Sequence, residues 1–105
     1  MDRTPVIERL AARLRDASAR ADWDLLGLAV RELGPQVQAL AERGAWSARE
    51  RAALAGLRAA HDGAAQASAE AAAGLQELLG DLHDNKEGRM AYALAGELEP
   101  GSITQ

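Results

Sequence analysis

Residues 54 to 82 carry Leu54, Leu57, His61, Ala64, Ser68, Ala71, Leu75, Leu78 and Leu82 at steps that alternate three and four. That spacing places all nine on one side of a single α-helix, a heptad seam that a strand could not produce. The helix it implies is long for a chain of 105 residues. It therefore constrains what the remaining residues can do. They must supply shorter helices that cover part of the seam.

Composition agrees with an all-helical reading. Phe is absent and aromatic residues make up 3% of the chain, so the core has to be built from Leu and Ala, which favour helices. No run of Val, Ile, Thr and aromatic residues reads as a strand. The expected fold is a single all-α domain over residues 1–105. It is a small antiparallel three-helix bundle with a long third helix and a short C-terminal helix or extension.

Thr4 is a good helix cap with Pro5 at the first helical position, so helix one is expected at about 5–21. Its apolar side is Ile7, Leu10, Leu14, Ala17 and Ala21. Asp22 can cap a second helix beginning at Trp23. The stripe Leu26, Val30, Leu33, Val37 and Leu40 passes in phase through Gly34-Pro35. One helix over about 23–43, kinked at Pro35, keeps that phase, and Gly44 closes it. Ser47 and Glu50 form a capping box that opens helix three at about residue 48. Helix three should run to about 84. Asp84-Asn85-Lys86-Glu87 then resembles a second capping box for a last segment at about 86–99, bearing Met90, Leu94 and Leu98. The alternative is a third helix that continues to about residue 95. Gly56, Gly63, Gly74 and Gly80 interrupt the long helix. Its Ala-rich middle either admits a close neighbour or reflects codon bias.

Length converts this into an expectation about surface. At 1.5 Å per residue, helices one, two and three span roughly 25, 32 and 55 Å. Short connections make successive helices antiparallel neighbours, so the first two cover only about half of the third. Leu54 and Leu57 then belong to the core, whereas Leu75, Leu78, Leu79 and Leu82 are left over. Exposed apolar surface of this kind marks a partner. A second subunit, a client protein or the chain's own last helix could supply the cover.

Little suggests chemistry. The chain has no cysteine, which removes disulfides, thiolate metal sites and thiol nucleophiles and is compatible with a reducing cytosol. His61 sits on the seam as a packing residue. His83 lies among Asp81, Asp84 and Glu87 without a calcium-loop pattern. No nucleophile elbow or phosphate loop occurs. No catalytic residue, metal or cofactor is expected, and the chain reads as a non-enzyme. Trp23 and Trp46 bracket helix two as structural plugs or interface anchors. Tyr92, in the last segment, reads equally as structural or functional.

Net charge is −4 and unevenly spread. Residues 1–58 hold ten Lys and Arg against eight acids, and residues 59–105 hold two against eight. This disfavours direct binding of nucleic acid. It describes either solvated faces or steering toward partners of different sign. Met1-Asp2-Arg3-Thr4-Pro5 begins no apolar stretch of signal-peptide or membrane-span length, so a cytoplasmic location is expected.

Asp22-Trp23-Asp24-Leu25-Leu26, following an Arg- and Ala-rich first helix, resembles a stretch of the FliT-type flagellar export chaperones. Gly88-Arg89-Met90-Ala91-Tyr92 is similar to the end of that family, where a basic residue precedes alanine and tyrosine. The resemblance covers about residues 5 to 95. It implies a small cytosolic type III export chaperone that binds the flagellar filament-cap protein, keeps it unassembled and delivers it to the export apparatus. It further implies links to the export ATPase complex and to the flagellar transcription regulator. It also implies a last helix that covers the client surface until displaced. Gly34-Pro35 and the short C-terminal tail depart from the family pattern. Joined to the length argument, the resemblance makes Leu75, Leu78, Leu79 and Leu82 the client groove, with Tyr92, Leu94 and Leu98 as its cover. Two other readings stay open. One is a hook–filament junction chaperone of the same system. The other is a helical dimerisation module without a client, in which the seam is buried in a homodimer.

Overall fold

A computed structural model describes the backbone from Met1 to Glu97 and the side chains through Asn85. It contains three helices, α1 (Thr4–Ala19), α2 (Trp23–Ala41) and α3 (Ala48–Glu97), and the fold is all-α. Its residues group into two compact units, Met1–Glu70 and Ala71–Gln105.

The first unit holds α1, α2 and the start of α3 around one small core. Ile7, Ala11, Leu14 and Ala17 come from α1, Leu26, Ala29 and Leu40 from α2, and Leu57, Ala60 and Ala64 from α3. Leu54, Trp23 and Trp46 are half-buried and pack against it. The seam is therefore real but shifted at one position: His61 is half-buried as expected, beside the buried Ala60, whereas Ser68 is exposed, with Ala67 taking the half-buried place. Alanine fits the close approach of three helices better than a polar side chain does.

The start of α1 differs from the expectation. Arg3, not Thr4, is the capping position, and its side chain makes no cap hydrogen bond. The Asp2 carboxylate instead accepts from the Thr4 amide at 2.9 Å. The physical reason lies outside the helix: the Arg3 amide donates to Glu50 Oε2 at 2.9 Å, which fixes Arg3 in helical geometry one residue early.

At the other end α1 stops at Ala19, two residues short of the expected limit. Asp22 N–H donates to the Ala17 carbonyl and Ala21 N–H to the Ser18 carbonyl, both at 3.0 Å. These two bonds make a Schellman cap. Its left-handed residue is Ala21, with φ +53°, where glycine usually stands. An alanine there is strained by about 1 kcal/mol. The opposite mismatch occurs at Gly63, which lies inside α3 with open space where a Cβ would be. Ala21→Gly and Gly63→Ala are each expected to raise stability by about 0.5–1 kcal/mol in urea unfolding. A loss at Gly63→Ala would mean that something packs against that backbone.

Asp22 caps α2 as expected, its carboxylate accepting from the Leu25 amide at 3.2 Å. The helix passes through Pro35 without a break and ends at Ala41, short of the expected 43. Gly44, at φ +120°, shapes the connection rather than capping the helix directly.

The capping box of α3 is formed in full. Ser47 N–H donates to Glu50 Oε1 at 2.8 Å, and Glu50 N–H donates to Ser47 Oγ at 3.1 Å. From Ala48 the helix then continues to Glu97, so the break expected near 84–86 does not occur and the continuous alternative holds. Asp84-Asn85-Lys86-Glu87 is polar, but polarity alone does not end a helix. Gly80 and Gly88 each disfavour it by only about 1 kcal/mol, and no proline intervenes before Pro100.

Candidate docking face

Leu75, Leu78, Leu79 and Leu82 belong to the second unit, and each is 55–56% exposed. Their spacing of three, one and three puts them within an arc of roughly 100° on the helix. Glu77, Asp81 and Asp84 lie on the other side of the same turns and are exposed as well. Residues 59–85 contain five acids and no Lys or Arg, so the back of this segment is uniformly acidic. The result is an amphipathic helix with its apolar side uncovered. Half-exposed leucines in this number make a patch on the order of 400 Å², the size at which surface patches on monomers are often functional.

Of the expected cover, Tyr92 and Leu94 lie in α3 but outside the residues whose side chains are described, and Leu98 lies outside the described residues altogether. The backbone still bears on that expectation. Residues ten or more positions further along one continuous helix cannot fold back over its flank. The turn required for a self-covering lid is absent from α3.

The other singled-out residues fall in the first unit. His61 is half-buried, with Nδ1 3.6 Å from Asp62 Oδ1. It shares with Trp23, Leu26, Val30, Ala65 and Ser68 a shallow groove of about 250 Å³ between α2 and α3. Trp46 is a plug of a specific kind: the Arg3 guanidinium lies over its ring, 4.1 Å from the centroid. Such cation–π contacts are favourable where water is excluded.

Arg3 is the residue that sequence reasoning missed. It is 5% exposed, and Glu50 beside it is 3% exposed. Nε donates to Glu50 Oε2 at 2.7 Å and Nη2 to Glu50 Oε1 at 2.9 Å, a bidentate pair. Nη1 donates to the carbonyls of Leu40 and Gly44, and Nη2 also to that of Ala45. All five guanidinium N–H groups are thereby used. The Arg3 side chain, with the Ser47 and Arg3 amides, holds the Glu50 carboxyl far below an ordinary glutamate's range, against the opposing effect of burial. Glu50 in turn raises Arg3 above its usual value. This cluster is saturated and leaves no group free for a substrate, so its role is to lock α1 to the α2–α3 connection.

No family model, curated protein or solved structure matches the chain.

Among the described residues, no group of three His, Cys, Asp or Glu side chains is placed to hold a metal ion. Among the same residues, no helix is long and apolar enough to cross a membrane. What the second unit offers is a row of half-exposed leucines on one side of a helix.

Proposed function

We propose that this chain is a cytoplasmic chaperone of the flagellar type III export system that holds an amphipathic helix of its client against Leu75, Leu78, Leu79 and Leu82. The exposure of these four leucines on one face of α3 carries the reading. The resemblance of Asp22–Leu26 and Gly88–Tyr92 to FliT-type chaperones supplies the client, the flagellar filament-cap protein. The chaperone keeps it unassembled and delivers it to the export apparatus. Contacts with the export ATPase complex and the flagellar transcription regulator belong to the same proposal. Because α3 runs on to Glu97, the proposal carries no fold-back lid.

Calorimetric titration of the full chain with a purified filament-cap protein tests this. Burying two leucine side chains contributes about 1.5 kcal/mol each or more, so Leu78→Ser with Leu82→Ser should weaken binding about a hundredfold. Removing residues 88–105 should leave affinity unchanged or lower it, whereas stronger binding would restore the lid. Wild-type protein that ignores the cap protein but binds a hook–filament junction protein changes the client. Protein that binds neither overturns the chaperone reading.

A further inference from the structure

Every residue from Ala72 to Asn85 is exposed, so burial does little to hold this stretch helical and its own propensity decides. That propensity is low. From 74 to 85, six of the twelve residues are poor helix formers: Gly74, Gly80, Asp81, His83, Asp84 and Asn85. A glycine lowers the propagation constant about fivefold relative to alanine, and Asp, His or Asn about threefold. Good formers propagate at only about 1–1.6 per residue, so the other six do not offset these losses. Charge works in the same direction. Glu77 and Asp81 are like charges four apart and Asp81 and Asp84 three apart, and residues 59–85 hold no Lys or Arg to relieve them. The Leu75–Leu79 and Leu78–Leu82 pairs favour the helix, but each by only about twofold.

The placement of Gly80 separates helix strength from surface shape. It lies roughly 150° round the helix from the centre of the leucine arc. A Cβ at this position would meet open space. Gly80 therefore weakens the helix without forming any part of the apolar face.

We infer that the docking segment of the free chain is in helix–coil equilibrium, that the helix is the form a client selects, and that Gly80 tunes affinity through that equilibrium rather than by contact. The observed dissociation constant then equals the intrinsic one divided by the helical fraction, so a residue on the back of the helix sets how tightly the front binds. Capture weakened in this way suits a client that has to be given up again at the export apparatus. This rests on the proposal that Leu75, Leu78, Leu79 and Leu82 dock a client helix, and the experiment separates the two.

Hydrogen exchange of the full chain, with and without filament-cap protein, is combined with circular dichroism and calorimetry of three variants. In the free chain the amides of 76–82 are expected to exchange within about twofold of unstructured rates, and those around the buried Leu57 at least about a hundredfold more slowly. Saturating cap protein should slow exchange at 76–82 at least about tenfold. Gly80→Ala should raise helicity and tighten cap-protein binding about three- to fivefold. Ala73→Gly, also exposed and on the back of the helix, should lower both by the same factor in affinity. Gly63→Ala, in the first unit, should leave affinity unchanged. Exchange at 76–82 as slow as at Leu57 would overturn the equilibrium. Fast exchange with equal affinities for Gly80→Ala, Ala73→Gly and the parent would overturn the coupling and leave the docking face in place. If exchange is fast and Gly80→Ala gains helicity but no variant binds the cap protein, the equilibrium stands and the client reading is what fails.

Discussion

Leu14→Ala is expected to destabilise the first unit by about 2–5 kcal/mol, a large part of what a domain of this size possesses. Leu14 and Ile7 are the largest side chains buried completely. Around them the core is mostly alanine, at Ala11, Ala17, Ala29, Ala60 and Ala64. Alanines have no rotamers with which to fill a void, so the cavity left by a missing isobutyl group should persist. Urea unfolding followed by the fluorescence of Trp23 and Trp46 reads the unit directly, because both indoles pack on this core. Leu78→Ala provides the comparison. It removes the same atoms from an exposed position and should change stability by no more than about 0.5 kcal/mol. Equal effects at 14 and 78 would contradict the assignment of the core.

The second large effect is expected at Arg3. Arg3→Met strands the Glu50 carboxylate in a buried site and releases the carbonyls of Leu40, Gly44 and Ala45. Arg3→Lys should rescue little, since an ammonium has three donors and no planar fork for a bidentate carboxylate. Replacing both partners, with Arg3→Met and Glu50→Met together, should be less harmful than Arg3→Met alone, because no charge is then left unpaired. Acid reports on the same cluster. An ordinary glutamate titrates near 4.5, and folded Glu50 lies well below that value. The unfolded chain therefore takes up a proton in acid that the folded chain refuses. The contribution of Glu50 is complete above about pH 4.5 and declines as the pH falls through and below it. Urea midpoints measured at pH 7 and pH 3 should fall less steeply in Glu50→Gln than in the parent. An unchanged slope would show that the fold does not hold Glu50 ionised.

Local signals in the chain predicted local structure well. Asp22 and the Ser47–Glu50 box cap their helices as their side chains suggest, and the phase of Leu26 to Leu40 carried α2 through Pro35. The exposure of the distal leucines followed from counting residues against helix rise. Errors arose where a distant contact decides the geometry. Thr4 has every property of a cap, but Glu50, 47 residues from Arg3, sets where α1 begins. The end of α1 gave no warning because the left-handed position is an alanine. The polar stretch at 84–87 misled for another reason. It satisfies the composition of a helix start, yet nothing there stops the helix already under way. Of the candidate face, the leucines were legible as a seam, whereas the Arg3 cluster left no pattern at all.

The Arg3 clasp also sets an order of events during synthesis. Arg3 is made 47 residues before the carboxylate that satisfies it. Until Glu50 has been added and has left the ribosome, the start of α1 has no anchor and the end of α2 lacks the guanidinium that covers its carbonyls. Helices α1 and α2 can meet before then, but they meet as an open pair. The first turn of α3 closes them, so a nascent chain stalled within the α2–α3 connection stays loose although two of its three helices are complete.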